Sequence, residues 1–71
     1  MERDEILEKI KELISRTNDE EMIKELKATA LFYKAYTLIT NDEESIENMK
    51  ELVNLILKLS EFIIELEEEL K

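Results

Sequence analysis

Apolar residues recur three and four positions apart in three runs. Two polar breaks that nearly repeat each other separate them, Thr17-Asn18-Asp19-Glu20-Glu21 and Thr40-Asn41-Asp42-Glu43-Glu44. A spacing near 3.6 residues predicts amphipathic helices. Each break can close one helix and open the next. Asp19 and Asp42 are natural N-caps, and the Glu pairs after them suit the positive end of a helix. Asn18 and Asn41 suit the left-handed position just past a helix end, because Asn tolerates that conformation best after Gly. These signals predict helices over 3–16, 19–39 and 42–70. Links this short imply antiparallel neighbours. The expected fold class is all-α, an up-down-up three-helix bundle with a long third helix, in a single domain spanning 1–71.

The three runs differ in how much apolar surface they carry. In the first, Ile6, Leu7, Ile10, Leu13 and Ile14 make one narrow face, backed by charged pairs such as Glu12 and Arg16 at the stabilising i, i+4 spacing. It needs one core. The second carries two seams, Ile23-Leu26-Ala30-Tyr33-Thr37 and Ala28-Phe32-Ala35-Ile39, nearly opposite each other at about 100° per residue. The third carries three stripes covering about 220° of the helix by the same rule. These are Leu55-Leu59-Phe62-Leu66, Leu52-Ile56-Ile63-Leu70 and Ile46-Val53-Leu57-Ile64.

One small bundle has no room for all of this surface. The third helix would be about 43 Å long against about 31 Å for the second, so Ile63, Ile64, Leu66 and Leu70 are expected to overhang. Apolar patches of this size are uncommon on soluble monomers. The expected interface therefore comprises Ala28, Phe32, Ala35, Tyr36, Ile39, Ile63, Ile64, Leu66 and Leu70. The expected assembly is a homo-oligomer, with a symmetric dimer favoured. Phe32, Tyr33 and Tyr36 could alternatively line a ligand pocket, although aromatics at helical spacing usually pack a core or an interface.

Composition narrows the chemistry. The 71 residues contain no Cys, His, Gly or Pro. Without Cys and His there is no disulfide, no thiol or Ser-His nucleophile, and none of the commonest zinc ligands. Without Gly there is no phosphate-cradling loop. No carboxylate falls in an apolar surround, so no shifted catalytic acid is expected. The expectation is therefore no enzyme, no cofactor and no metal site.

The net charge of −9, from 19 acids and 10 bases, argues against nucleic acid and against an anionic membrane surface. Residues 42–71 hold ten of the acids and three of the bases. The group Glu61, Glu65, Glu67, Glu68 and Glu69 reads as a solvated, solubilising face, or alternatively as a surface for a basic partner. No run approaches the roughly 20 apolar residues of a bilayer span. The start Met1-Glu2-Arg3-Asp4-Glu5 lacks the basic-then-apolar order of a signal peptide. The expected location is the cytoplasm.

The Glu/Lys/Leu/Ile-rich helices, the duplicated Thr-Asn-Asp-Glu-Glu connectors and the lack of Cys, His and Trp resemble de novo designed α-helical bundles across the whole chain. The resemblance implies a structural purpose: to fold, assemble or present a helical face. Two features depart from it. Designed loops usually contain Gly or Pro, and Thr29, Thr37, Asn48, Asn54 and Ser60 are unidealised helix-interior choices. A natural protein from a thermophilic microbe, a virus or a plasmid would share the Glu/Lys/Ile bias and its thermostability. The alternative reading is therefore a small natural acidic adaptor or inhibitor that binds a protein partner through Phe32, Tyr36, Ile39 and the C-terminal acids.

Overall fold

The computed structural model describes residues 4–70 and contains three helices, α1 Glu5–Arg16, α2 Glu20–Ile39 and α3 Glu43–Glu69. Each contacts both others, giving the expected all-α arrangement with a long third helix. Helix formers such as Leu, Glu and Lys fill all three, and no Gly or Pro interrupts them. The observed helices start one residue later than expected at α2 and α3, because Asp19 and Asp42 stand outside them as caps. The expected start of α1 at residue 3 lies outside the described residues. Leu70 is the C-cap of α3 rather than its last helical residue.

Each N-terminus is closed by an aspartate in extended conformation. Asp4 accepts from the backbone N–H groups of Ile6 and Leu7, Asp19 from those of Glu21 and Met22, and Asp42 from that of Glu44. Asp42 also accepts a 2.6 Å bond from the Ser45 hydroxyl, the main reason its carboxyl titrates below the usual range. Such caps satisfy N–H groups that have no partner inside the helix.

The helix ends correct one expectation. Asn18 and Asn41 do not adopt the left-handed conformation, and no described residue has positive φ. The C-caps are Thr17 (φ −116°, ψ 146°) and Thr40 (φ −105°, ψ 127°). A β-branched Thr favours extended backbone, and a left-handed non-Gly residue costs about 1–2 kcal/mol. One extended Thr, one Asn and a capping Asp reverse the chain without that cost. Thr17 is itself buried, and its hydroxyl accepts from the Asp19 N–H at 3.1 Å.

The core is built from one face of each helix. It contains Ile6, Ile10 and Leu13 of α1, Met22, Leu26 and Tyr33 of α2, and Met49, Val53, Leu57 and Ile64 of α3. Leu7, Ile14, Ala30 and Tyr36 pack around it. Ser60 is buried too, its hydroxyl donating to the Ile56 carbonyl at 2.9 Å. Only one of the three α3 stripes, the Ile46-Val53-Leu57-Ile64 stripe, faces this core. Ile64 is 0% exposed, which corrects its assignment to the overhang. Arg16 bonds Glu68 at 2.8 Å, so α1 extends to that level and covers the inner side of α3 there.

The molecule measures 44 × 23 × 19 Å with a radius of gyration of 13.1 Å. A compact 71-residue domain would have a radius of about 11 Å. The excess follows from α3, whose 27 residues against 20 in α2 carry it roughly two turns past the start of α2. Among the described residues no helix is long and apolar enough to cross a membrane.

Candidate functional site

Two sets of polar contacts fix which side of the α2–α3 hairpin α1 covers. Asp4 uses one carboxylate oxygen to cap α1 and the other to accept from the Tyr33 hydroxyl at 2.7 Å. This ties the start of α1 to the middle of α2. On the other flank Lys9 bonds Glu61 at 2.7 Å, while Arg16 bonds Glu61 at 3.1 Å and Glu68 at 2.8 Å. Glu12 completes the cluster, 3.6 Å from both Lys9 and Arg16.

The electrostatics of these contacts serve the fold. The hydrogen bond from Lys9, reinforced by Arg16, holds the Glu61 carboxyl below its ordinary range. The same bond raises Lys9, and the hydrogen bond to Glu68 raises Arg16. Burial, then the bond to Asp4, pushes the Tyr33 hydroxyl up to about 12. Two of the C-terminal acids read from the sequence as a solvated face are thus bound to α1. The missing signal is tertiary, because no local spacing pairs Lys9 with Glu61, 52 residues away.

The hairpin side facing away from α1 is apolar and open. At about 100° per residue, Leu59 and Leu66 lie about 200° round α3 from Glu61 and Glu68, and Leu31 lies about 200° round α2 from Tyr33. On α2 the open positions repeat every seven residues: Ala28 and Ala35, Leu31 and Leu38, Phe32 and Ile39. All six are exposed, Leu31 to 71%, Leu38 to 81% and Ile39 to 80%. The α3 face has the same seven-residue repeat. Leu52, Leu59 and Leu66 form one row, Leu55 and Phe62 a second, and Ile56, Ile63 and Leu70 a third. All are exposed, from 37% at Ile56 to 86% at Leu70. Phe32 meets Tyr36 at 5.9 Å between ring centroids, tilted by 39°.

Most of the residues expected at an interface lie on this face: Ala28, Phe32, Ala35, Ile39, Ile63, Leu66 and Leu70. Tyr36 is half-buried at its edge and packs on the core, and Ile64 belongs to the core. Sequence reading left out Leu31 and Leu38 on α2, and Leu52, Leu55, Ile56, Leu59 and Phe62 on α3. Their seven-residue spacing was the available signal. The competing signal was that a helix in a bundle must bury some stripe, and the sequence carried several.

The groove beneath α1, about 1400 Å³ and open to solvent, is lined by both signs of charge, with Lys9, Lys50, Lys58 and Glu61 among its walls. Tyr33 lies on its floor with its hydroxyl engaged by Asp4. No cluster of metal-binding side chains occurs among the described residues. No protein-family model matches the chain, and neither curated proteins nor solved structures yield a significant match.

Proposed function

We propose that this chain is a non-catalytic helical module whose function is self-association, forming a homodimer through the open face of the α2–α3 hairpin. The observation that carries this reading is the continuous exposed apolar surface of Leu31, Phe32, Leu38 and Ile39 on α2 with Leu52–Leu70 on α3. Its side chains present on the order of 1,000 Å², against the roughly 300–600 Å² of the largest patch on an ordinary monomer. A standard complex buries about 800 Å² per partner. The area is therefore sufficient for a stable dimer.

Two further observations support it. The accessible surface is 5665 Å², about 1,000 Å² above the area expected of a monomeric globular protein of this mass. Elongation contributes to that excess, and the elongation arises from the part of α3 that runs past α2. Second, a strict seven-residue apolar repeat suits helices that pack along one another in a left-handed supercoil. The core-facing side of α2 lacks that regularity. The resemblance to designed bundles fits an assembly role, since aspartate caps and Glu/Lys surfaces serve folding and packing rather than chemistry.

The test is solution mass by light scattering and sedimentation, from micromolar to millimolar chain. The expected species is twice the 8.5 kDa chain mass. Phe32→Glu and Ile63→Glu should each weaken association by at least about 30-fold, as loss of a 2 kcal/mol hot spot does. Helix content by circular dichroism should stay unchanged. An unmodified chain that remains at 8.5 kDa throughout overturns self-association and favours the adaptor reading.

A further inference from the structure

The apolar face is oblique, and its obliqueness restricts how a second copy can cover it. The three-residue link 40–42 places Ile39 level with Glu43, so Ala35 lies level with about residue 47 of α3, Ala28 with about 54 and Glu20 with about 62. The apolar rows on α2 end at Ala28, close to where those on α3 begin at Leu52. The face therefore runs diagonally, from the C-terminal half of α2 to the C-terminal end of α3.

Three twofold pairings are available to stacked hairpins. An axis along the helices would lay Ala28–Ile39 on residues 43–54 of the partner, where Ser45, Asn48 and Glu51 stand, and would leave both α3 ends uncovered. An axis across the middle of the α2 rows would stack α2 on α2 and leave α3 bare from Leu59 onward. An axis crossing α3 near Leu59 behaves differently. It lays α3 antiparallel on its copy, with Leu52 opposite Leu66 and Leu59 opposite itself. It also brings the copy's residues 63–70 to the level of about residues 48–55, beside Ala28–Phe32. This pairing covers the α3 rows and the Ala28–Lys34 part of α2, more of the face than either alternative covers.

We propose that the occupant of the face is a second copy whose α3 crosses the first antiparallel near Leu59. The end of each α3, Ile63–Leu70, then lies beside the Ala28–Lys34 part of the other chain's α2. This rests on the self-association reading and specifies its geometry. Ala28 and Ala35 leave shallow ground on α2, which suits the large Leu66 and Leu70 side chains laid over it. Charge favours the same pairing. The α3 end carries Glu65 and Glu69 at the negative end of its helix dipole, whereas α2 carries Lys34 within that stretch and Lys24 and Lys27 in the turn before it, Lys27 and Lys34 on its edge toward α1. Lys27, Lys34, Glu65 and Glu69 have no ion pair among the described residues of their own chain. Helices packed together lie about 8–10 Å apart, within a Debye length of about 10 Å at 0.1 M salt. The pairing also keeps the two acidic ends at opposite ends of the dimer.

Because the chain contains no Cys, single cysteines report the pairing without background. Leu59→Cys should cross-link to itself through a short bis-maleimide. Ala35→Cys and Leu70→Cys should each stay uncoupled alone, with like positions more than about 20 Å apart along the helices. Mixed together, those two should give the cross-linked heterodimer. Self-coupling of Ala35→Cys, or a mixture that fails to couple while the mass is that of a dimer, would overturn this pairing alone. A monomeric mass would overturn the self-association beneath it.

Discussion

The two sides of the α2–α3 hairpin are made of the same residue types and have opposite fates. The side under α1 buries Leu26, Tyr33, Val53, Leu57 and Ile64. The side away from α1 leaves Leu31, Leu38, Leu59 and Phe62 more than half exposed. Hydrophobicity does not separate them, since both are dominated by Leu, Ile and aromatic residues. A 12-residue helix does. α1 has one apolar face and a charged back, so it can cover one side of the hairpin and no more. A helix with two apolar stripes therefore has its core chosen by its neighbours.

The sharpest way to break this contrast is truncation of one leucine on each side. Leu13→Ala, at the fully buried point where α1 meets the hairpin, should cost about 2–5 kcal/mol. That is a large part of the roughly 4–11 kcal/mol expected of a domain this size. Leu38→Ala should change the isolated chain by less than about 0.5 kcal/mol. Urea denaturation at concentrations low enough to keep the chain monomeric measures both. Equal costs would mean that the open side is folded against something in the same chain.

A smaller effect sharpens the α1 side. Tyr33→Phe removes the bond to Asp4 and should cost about 0.5–1.5 kcal/mol. Tyr33 keeps its proton up to about 12 in the folded chain, against 10.0 ordinarily. The folded state therefore holds more protons than the unfolded state between those values, and stability falls as pH rises from 10 to 12. Denaturation midpoints across that range should fall less steeply in Tyr33→Phe than in the unmodified chain.

The smallest effect belongs to the ion cluster between α1 and α3. Glu61 is held below its ordinary 4.5 by Lys9 and Arg16. Its contribution is present above that pH and is lost as pH falls through the depressed folded value. Glu61→Gln should be slightly less stable than the unmodified chain at pH 7, and the difference should narrow as pH falls below the ordinary 4.5 of a Glu carboxyl. A midpoint difference that persists in acid would assign the effect to packing instead of charge.

Much of the fold was legible because its signals are local. Asp19 and Asp42 announce helix starts within four residues, and the period of Ile6, Ile10 and Leu13 marks a face within two turns. The errors lie where local signals compete. Asn18 and Asn41 fit a left-handed cap, yet the preceding Thr17 and Thr40 solved the same turn in extended conformation. Ile64 fell among exposed neighbours, Ile63 and Leu66, yet it is buried in the core that the three helices share. Asp4 looked like one charge among many at the chain start, because Tyr33, its partner, is 29 residues away.

The sequence alone determined three helices with caps for the second and third, their antiparallel order, the lack of Cys and His side chains, and an excess of apolar surface on the second and third helices. Those properties follow from backbone hydrogen bonding, helical period and residue inventory, which act over a few residues. Tertiary structure decided which stripes became core, which acids became ion pairs, and that the remaining apolar face is continuous across two helices. Those outcomes depend on where one short helix lies against a longer hairpin, a relation between residues tens of positions apart.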